Sequence, residues 1–277
     1  MSIRYGRSPG AMIPERALIM SGYGINSEME TQEVLARAGM GSEIVHINDL
    51  IEGRKRMADY RLIVFPGGFS YGDDTGAGNA YANRVRNNLR EDLDAFLEGD
   101  NLVLGICNGF QILANLGLVP AFSRKHSRDI ALMPNTKGVL ECRFVTLRPA
   151  AENLWTKGIE RICCPVSHGE GNFSCSEETL KRLEKNRQVA FTYTRDDLSP
   201  AHGEYPFNPN GSLADIAGIT SEDGKVLGLM PHPERAMEFV NLYDWPLRKE
   251  VLRRQGRDLP SESLNMAFFT NIVDYFR

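Results

Sequence analysis

The stretch from 102 to 117 constrains the fold more than any other. Its first five residues, Leu102, Val103, Leu104, Gly105 and Ile106, are apolar without alternation, and a helical pattern begins directly after Cys107. A strand with no polar side is covered on both faces, which is the habit of parallel sheets. Parallel strands need a crossover of a dozen or more residues, usually a helix. The N-terminal half repeats this unit. Residues 17–20 read as a short buried strand broken at Gly22 and Gly24. A helix then opens at Ser27, where Glu30 completes a capping box, turns Val34, Leu35 and Ala38 inward and stops at Gly39. Residues 44–47 and 62–65 read as further strands, the latter stopped by Pro66, Gly67 and Gly68. Val85, Leu89, Leu93 and Phe96 recur at helical spacing before Gly99. The expected architecture is α/β, a mostly parallel sheet with helices on both faces.

The second half changes character. Residues 144–147, 162–166, 189–193, 216–220 and 226–230 are strand-like with short connections, and Asp223 with Gly224 forms a hairpin turn between the last two. A mixed, antiparallel edge is expected there. Leu264, Phe268, Ile272 and Tyr275 share one face of a C-terminal helix over 264–276, while 200–212 and 241–261 read as surface excursions. With 277 residues, no internal repeat and no low-complexity linker, the chain is read as one domain over 1–277, with a lead at 1–14.

Charge and composition exclude several classes of function. The net charge of −4 offers no basic face for phosphates, so nucleic acid is not an expected partner. No apolar run approaches the roughly 18 residues of a bilayer-spanning helix, so no membrane association is expected. The lead carries Arg4 and Arg7 but no apolar signal stretch, which points to a cytoplasmic, reducing location. Five cysteines without a C-x-x-C pair argue against a disulfide framework or a zinc site and read as free thiols; no metal is expected.

The chemistry centres on Cys107. Gly105 and Gly109 flank it at minus and plus two, the spacing of a tight strand-to-helix turn that lifts its central side chain clear of the sheet. The same turn places the thiol at a helix N-terminus, which favours the thiolate. A nucleophile needs a base and an orienter. His232 and Glu234 follow the 226–230 strand two residues apart, on one side of an extended chain, so Glu234 can hold the imidazole while His232 moves the proton. His46, His126 and His202 lack such a partner. His168 lies in a glycine-interrupted turn at 167–173, suited to close approach of a ligand. Attack on a carbonyl also needs two oxyanion donors. The amide of Asn108 is one, and Gly68, with Gly67 next, can supply the other from beyond a neighbouring strand's carboxyl end. Residues 72–79 suggest a phosphate loop only superficially, because the G-K-[ST] ending is missing. No cofactor site is expected in this chain.

These residues resemble the class I glutamine amidotransferases, whose marks are a G-x-C-x-G turn and a later H-x-E pair. Within them, the motifs at 66–73, 105–113, 167–173, 208–212 and 230–235 resemble the family of glutaminase subunits of phosphoribosylformylglycinamidine synthase, in family order. The resemblance implies a flavodoxin-like fold and a role in purine biosynthesis. Cys107 would attack the side-chain amide of glutamine, ammonia would leave and water would hydrolyse the thioester. It places Gln111 and the turn of Ser167, His168, Gly169 and Glu170 near the glutamine. It also implies a separate synthetase subunit that uses ATP and Mg²⁺ to consume the ammonia, and a small third subunit. The segments 1–14, 74–88 and 241–261 exceed the compact family pattern and carry no assigned role. Two other readings use the same residues: a cysteine hydrolase such as a peptidase, and a non-catalytic module that senses glutamine or scaffolds a synthetase.

Overall fold

The computed structural model describes residues 16–122 and 126–277, so the lead at 1–14 lies outside the described residues. Arg16–Ser21 (β1) leads through Glu28–Ala38 (α1) to Gly41–His46 (β2), where Ile47 already opens the short helix Ile47–Ile51 (α2). Leu62–Phe65 (β3) is followed by Asn79–Asn88 (α3), Arg90–Glu98 (α4), Leu102–Ile106 (β4) and Asn108–Leu116 (α5). Then come Ile130–Pro134 (β5), Glu141–Pro149 (β6), Ile162–His168 (β7), Glu170–Cys175 (β8) and Glu177–Lys185 (α6). Val189–Thr194 (β9), Ile216–Thr220 (β10), Val226–Leu229 (β11), Trp245–Arg254 (α7) and Met266–Asp274 (α8) complete the order.

Every side chain of β3, β4 and β11 is buried, and these three strands lie side by side at the centre of a nine-stranded sheet ordered β2-β1-β3-β4-β11-β10-β9-β6-β7. The first five strands run parallel, in the flavodoxin-like order, and β10, β9, β6 and β7 continue antiparallel. The loops after β3, β4 and β11 therefore meet at one end of adjacent strands. On the helical layers α1 packs with α8, and α3 with α5. The outer edge, β7, is closed by Asn265: its Oδ1 accepts from the Cys163 amide at 3.1 Å and its Nδ2 donates to the Cys163 carbonyl at 2.8 Å. A side chain here does what a tenth strand would do.

Several expectations require correction. Ser27 caps α1 by position but makes no side-chain capping bond. Its Oγ accepts from Arg235 Nη2 at 2.6 Å, and Glu30 pairs with Arg235 Nε at 3.4 Å, so the arginine replaces the capping box. The single helix through Val85, Leu89, Leu93 and Phe96 is two, broken at Leu89. All four side chains are still buried, because α3 packs on α5 whereas α4 packs on the turn at 57–59, two directions that one straight helix cannot serve. Leu264 precedes α8 and is 65% exposed. The segment 200–212 is a surface excursion only in part: residues 202–206 are exposed, but Ala201, Asn208, Asn210 and Ser212 are buried, and Ser212 Oγ accepts from the Phe173 amide at 3.0 Å. α7, in contrast, buries no side chain.

Candidate active site

β4 ends at Ile106 and α5 begins at Asn108, so Cys107 alone makes the turn between them. It does so at φ 54°, ψ −107°, where an L-residue is strained. The two glycines make this possible. A Cβ on Gly105 would sit 2.6 Å from Leu113 Cδ1, and one on Gly109 would sit 1.8 Å from the Phe65 carbonyl oxygen. The Cys107 amide donates to the Leu229 carbonyl at 2.8 Å, and its Sγ lies 3.8 Å from the Ser167 carbonyl oxygen. The residue is 4% exposed.

β11 delivers His232 beside this turn, and the His232 amide is held by the Pro165 carbonyl of β7 at 2.8 Å. The chain from 232 to 234 is not extended. Pro233, with its fixed φ, opens a 3₁₀ turn over Pro233–Arg235. That turn brings Glu234 Oε1 to 2.5 Å from His232 Nδ1, with both side chains buried. Among the described residues Glu234 Oε2 has no hydrogen-bond partner. Burial alone would lower the pKa of the imidazole. The charge of Glu234 opposes it, as do the charge of Cys107 and hydrogen bonds to both residues, and together they hold His232 protonated well above its ordinary range. The ring packs on Gly67, where a Cβ would lie 2.5 Å from His232 Cε1.

The loop after β3 is laid against residues 23–27. Gly67 accepts from the Asn26 and Ser27 amides at 3.1 and 3.2 Å, and the Phe69 amide donates to the Gly24 carbonyl at 2.8 Å. Gly68 forms an antiparallel bridge with Ile25, and successive amides on such a segment alternate in direction, so the Gly68 N–H points away from 23–27. A Cβ on Gly68 would fall 2.5 Å from the Gly24 carbonyl oxygen. Asn108, the first residue of α5, has a main-chain N–H with no intrahelical partner.

The remaining candidates form an adjoining layer. Gln111 is buried and fully engaged: Oε1 accepts from Asn108 Nδ2 at 2.8 Å, and Nε2 donates to the Glu170 carbonyl at 2.5 Å. The Glu170 carboxylate accepts from the Ala77 amide at 3.2 Å, and the Gly169 carbonyl accepts from the Asn135 amide at 2.8 Å. Ser167 contributes its carbonyl beside the thiol. His168 is buried with both ring nitrogens occupied, Nδ1 at 3.2 Å from Asn135 Oδ1 and Nε2 at 3.5 Å from Asn210 Nδ2. Burial first, and the charge of His232 second, lower its pKa to about 4, so it is neutral. Nothing in the sequence singles out Asn135, and 208–212 stands there as a motif within an expected surface excursion. Both turn out to build the wall behind His168, with Asn210 Nδ2 donating to the Gly171 carbonyl at 2.8 Å. Asp73 was also missed. Burial and the nearby Glu170 charge raise its carboxyl to about 6. Among the described residues no group of three or more His, Cys, Asp or Glu is placed to hold a metal ion, and no helix is long and apolar enough to cross a membrane.

Comparison with known proteins places this geometry in a family. The sequence profile of the CobB/CobQ-like glutamine amidotransferase domain matches residues 14–276. A PurQ subunit of phosphoribosylformylglycinamidine synthase from Methanococcus maripaludis is 50% identical over 268 residues, covering 94% of this chain and 97% of that one. The corresponding subunit from Treponema denticola is 43% identical over 235 residues, covering 79% and 87%. The solved structure of PurLQS from Thermotoga maritima contains a chain with a TM-score of 0.70 at 28% identity, covering 95% of this chain and all of that one. Matched over nearly its whole length, the chain belongs to the glutamine amidotransferase family, in the branch of the glutaminase subunits of phosphoribosylformylglycinamidine synthase.

Proposed function

We propose that this chain hydrolyses glutamine through Cys107, His232 and Glu234 and passes the ammonia to a synthetase subunit. The observation that carries the reading is the chain of contacts from the thiol of a strained residue at the N-terminus of α5 to a buried imidazolium and its carboxylate. Glu234 occupies Nδ1, which leaves Nε2 for Cys107. A thiolate beside an imidazolium attacks the amide carbon of glutamine and forms a C–S bond. The oxyanion that results is met by the amides of Asn108 and Gly68, with Gly67 the next candidate. Imidazolium Nε2–H protonates the leaving nitrogen, the C–N bond breaks, and ammonia departs from a thioester. The neutral imidazole then takes a proton from water, hydroxide attacks the thioester, and glutamate leaves as the thiolate is restored.

Ser167, Gly169, Glu170 and Gln111 surround this centre, and we assign them to the glutamine side of the site, with His168 supporting them from behind. The intact triad favours catalysis over a glutamine-sensing scaffold, and the family favours glutamine over peptides. The rest of the proposal follows the family. The chain is one cytoplasmic domain over 1–277 without a cofactor of its own. Its partners are a synthetase subunit that uses ATP and Mg²⁺ and a small third subunit. Release of glutamate from glutamine tests the assignment. Cys107→Ala is expected to abolish it while the chain stays folded, and an unchanged rate refutes it. Peptide amides supplied side by side with glutamine are expected to remain uncut.

A further inference from the structure

We infer that the side chain of Asn108, as distinct from its main-chain amide, is a positioning residue that fixes the two oxyanion donors relative to each other; this rests on the proposed role of Cys107. The donors come from different elements. One is the first amide of α5, rigid with the helix. The other lies in the loop after β3, which has no regular secondary structure at 66–69 and then passes through three consecutive left-handed residues, Tyr71 at φ 55°, Gly72 at 72° and Asp73 at 57°. Most main-chain bonds of this loop run to residues 23–27, not to the helix. Two hydrogen bonds tie residues 67–73 to α5, and both end on Asn108. Its Oδ1 accepts from the Ser70 amide at 3.2 Å, and its Nδ2 donates to Asp73 Oδ1 at 3.4 Å. The second Nδ2 proton is spent on Gln111 Oε1 at 2.8 Å, which fixes the amide's orientation. Asn108 and Ser70 are both buried, so water does not replace the bond between them when it is lost. The clamp thus joins the residue after the nucleophile to a point two residues beyond Gly68.

A positioning role for the oxyanion donors differs from general support of the site in one measurable way. Hydrolysis of glutamine develops an oxyanion, whereas alkylation of a thiolate by iodoacetamide does not. In the purified chain, Asn108→Ala is expected to lower kcat for glutamine by about 10- to 100-fold, below the full cost of a missing donor, with KM within about threefold. The rate at which iodoacetamide alkylates Cys107 is expected to stay within about threefold of wild type. Asn108→Leu, which keeps the volume, takes the place of the alanine variant if that one does not fold. A kcat unchanged by the substitution, or an alkylation rate that falls in step with kcat, overturns the inference. Wild-type chain that releases no glutamate from glutamine, with or without the synthetase subunit, refutes the proposed function instead, and this control separates that failure from failure of the inference.

Discussion

At residue scale the site is a set of close approaches that leave no room for a methyl group. Gly67 is the sharpest case. The His232 ring lies where its Cβ would be, 2.5 Å from Cε1, so Gly67→Ala must push the imidazole by about an ångström. Misplacement on that scale costs on the order of 10²-fold in rate. The expected outcome is a fall in kcat of that size with thermal stability little changed, and a kcat within threefold of wild type would show that the ring yields freely. His168 gives a prediction of a different kind. Its pKa is lowered to about 4 in the fold, against an ordinary value near 6.5 when unfolded. A lowered base is neutral in the native state, so its stabilising effect is complete above the unfolded value and is lost as pH falls toward 4, about 3 kcal/mol in all. Denaturant unfolding between pH 7 and pH 4 is expected to show His168→Gln losing less stability than wild type; parallel curves would refute the linkage. Neither feature was fully legible in the sequence. Residue types at 107, 232 and 234 announce themselves, but a glycine's reason is visible only when the atom it avoids is in place.

At the scale of elements, legibility followed the apolar pattern. β3, β4 and β10 fall on the expected residues because each is an apolar run bounded by turn formers. β5 and β8 were missed. The residues of β8, Glu170, Gly171, Asn172, Phe173, Ser174 and Cys175, have little intrinsic preference for a strand. They are held extended by bonds from distant loops, Asn135 Oδ1 to the Gly171 amide at 3.1 Å and Ser212 Oγ to the Phe173 amide. α6 did carry its signals: Ser176 caps the Thr179 amide at 3.1 Å, with acidic residues in the first turn and basic ones in the last. The element whose loss should matter most is the β7 edge. Asn265 is buried and bonds both polar groups of Cys163, and β7 in turn holds the His232 amide through Pro165. Asn265→Ala strands a buried donor and a buried acceptor and is expected to cost about 2 to 4 kcal/mol in denaturant unfolding. Because the edge carries the imidazole, glutaminase kcat should fall as well. A stability loss below 1 kcal/mol would show that water satisfies the edge.

For the whole molecule, a mostly parallel sheet was expected from alternation in the N-terminal half, whereas β11, expected at the mixed edge, lies at the centre of the sheet parallel to β4. The degree of closure was not legible. Cys107, His232 and Glu234 are 4%, 1% and 0% exposed. Glutamine cannot reach a thiol covered to that extent unless a loop moves. If the closed arrangement dominates, the apparent rate is reduced by the fraction of molecules that are open, and a subunit that binds the open form better raises it by its differential affinity. The same coupling limits release of ammonia when no acceptor is present. Steady-state glutamine hydrolysis by the chain alone is therefore expected to be slow, and saturating synthetase subunit is expected to raise kcat at least tenfold, equivalent to about 1.4 kcal/mol of preference for the open form. Equal rates with and without the synthetase would mean that the closure opens unaided, fast enough not to limit turnover.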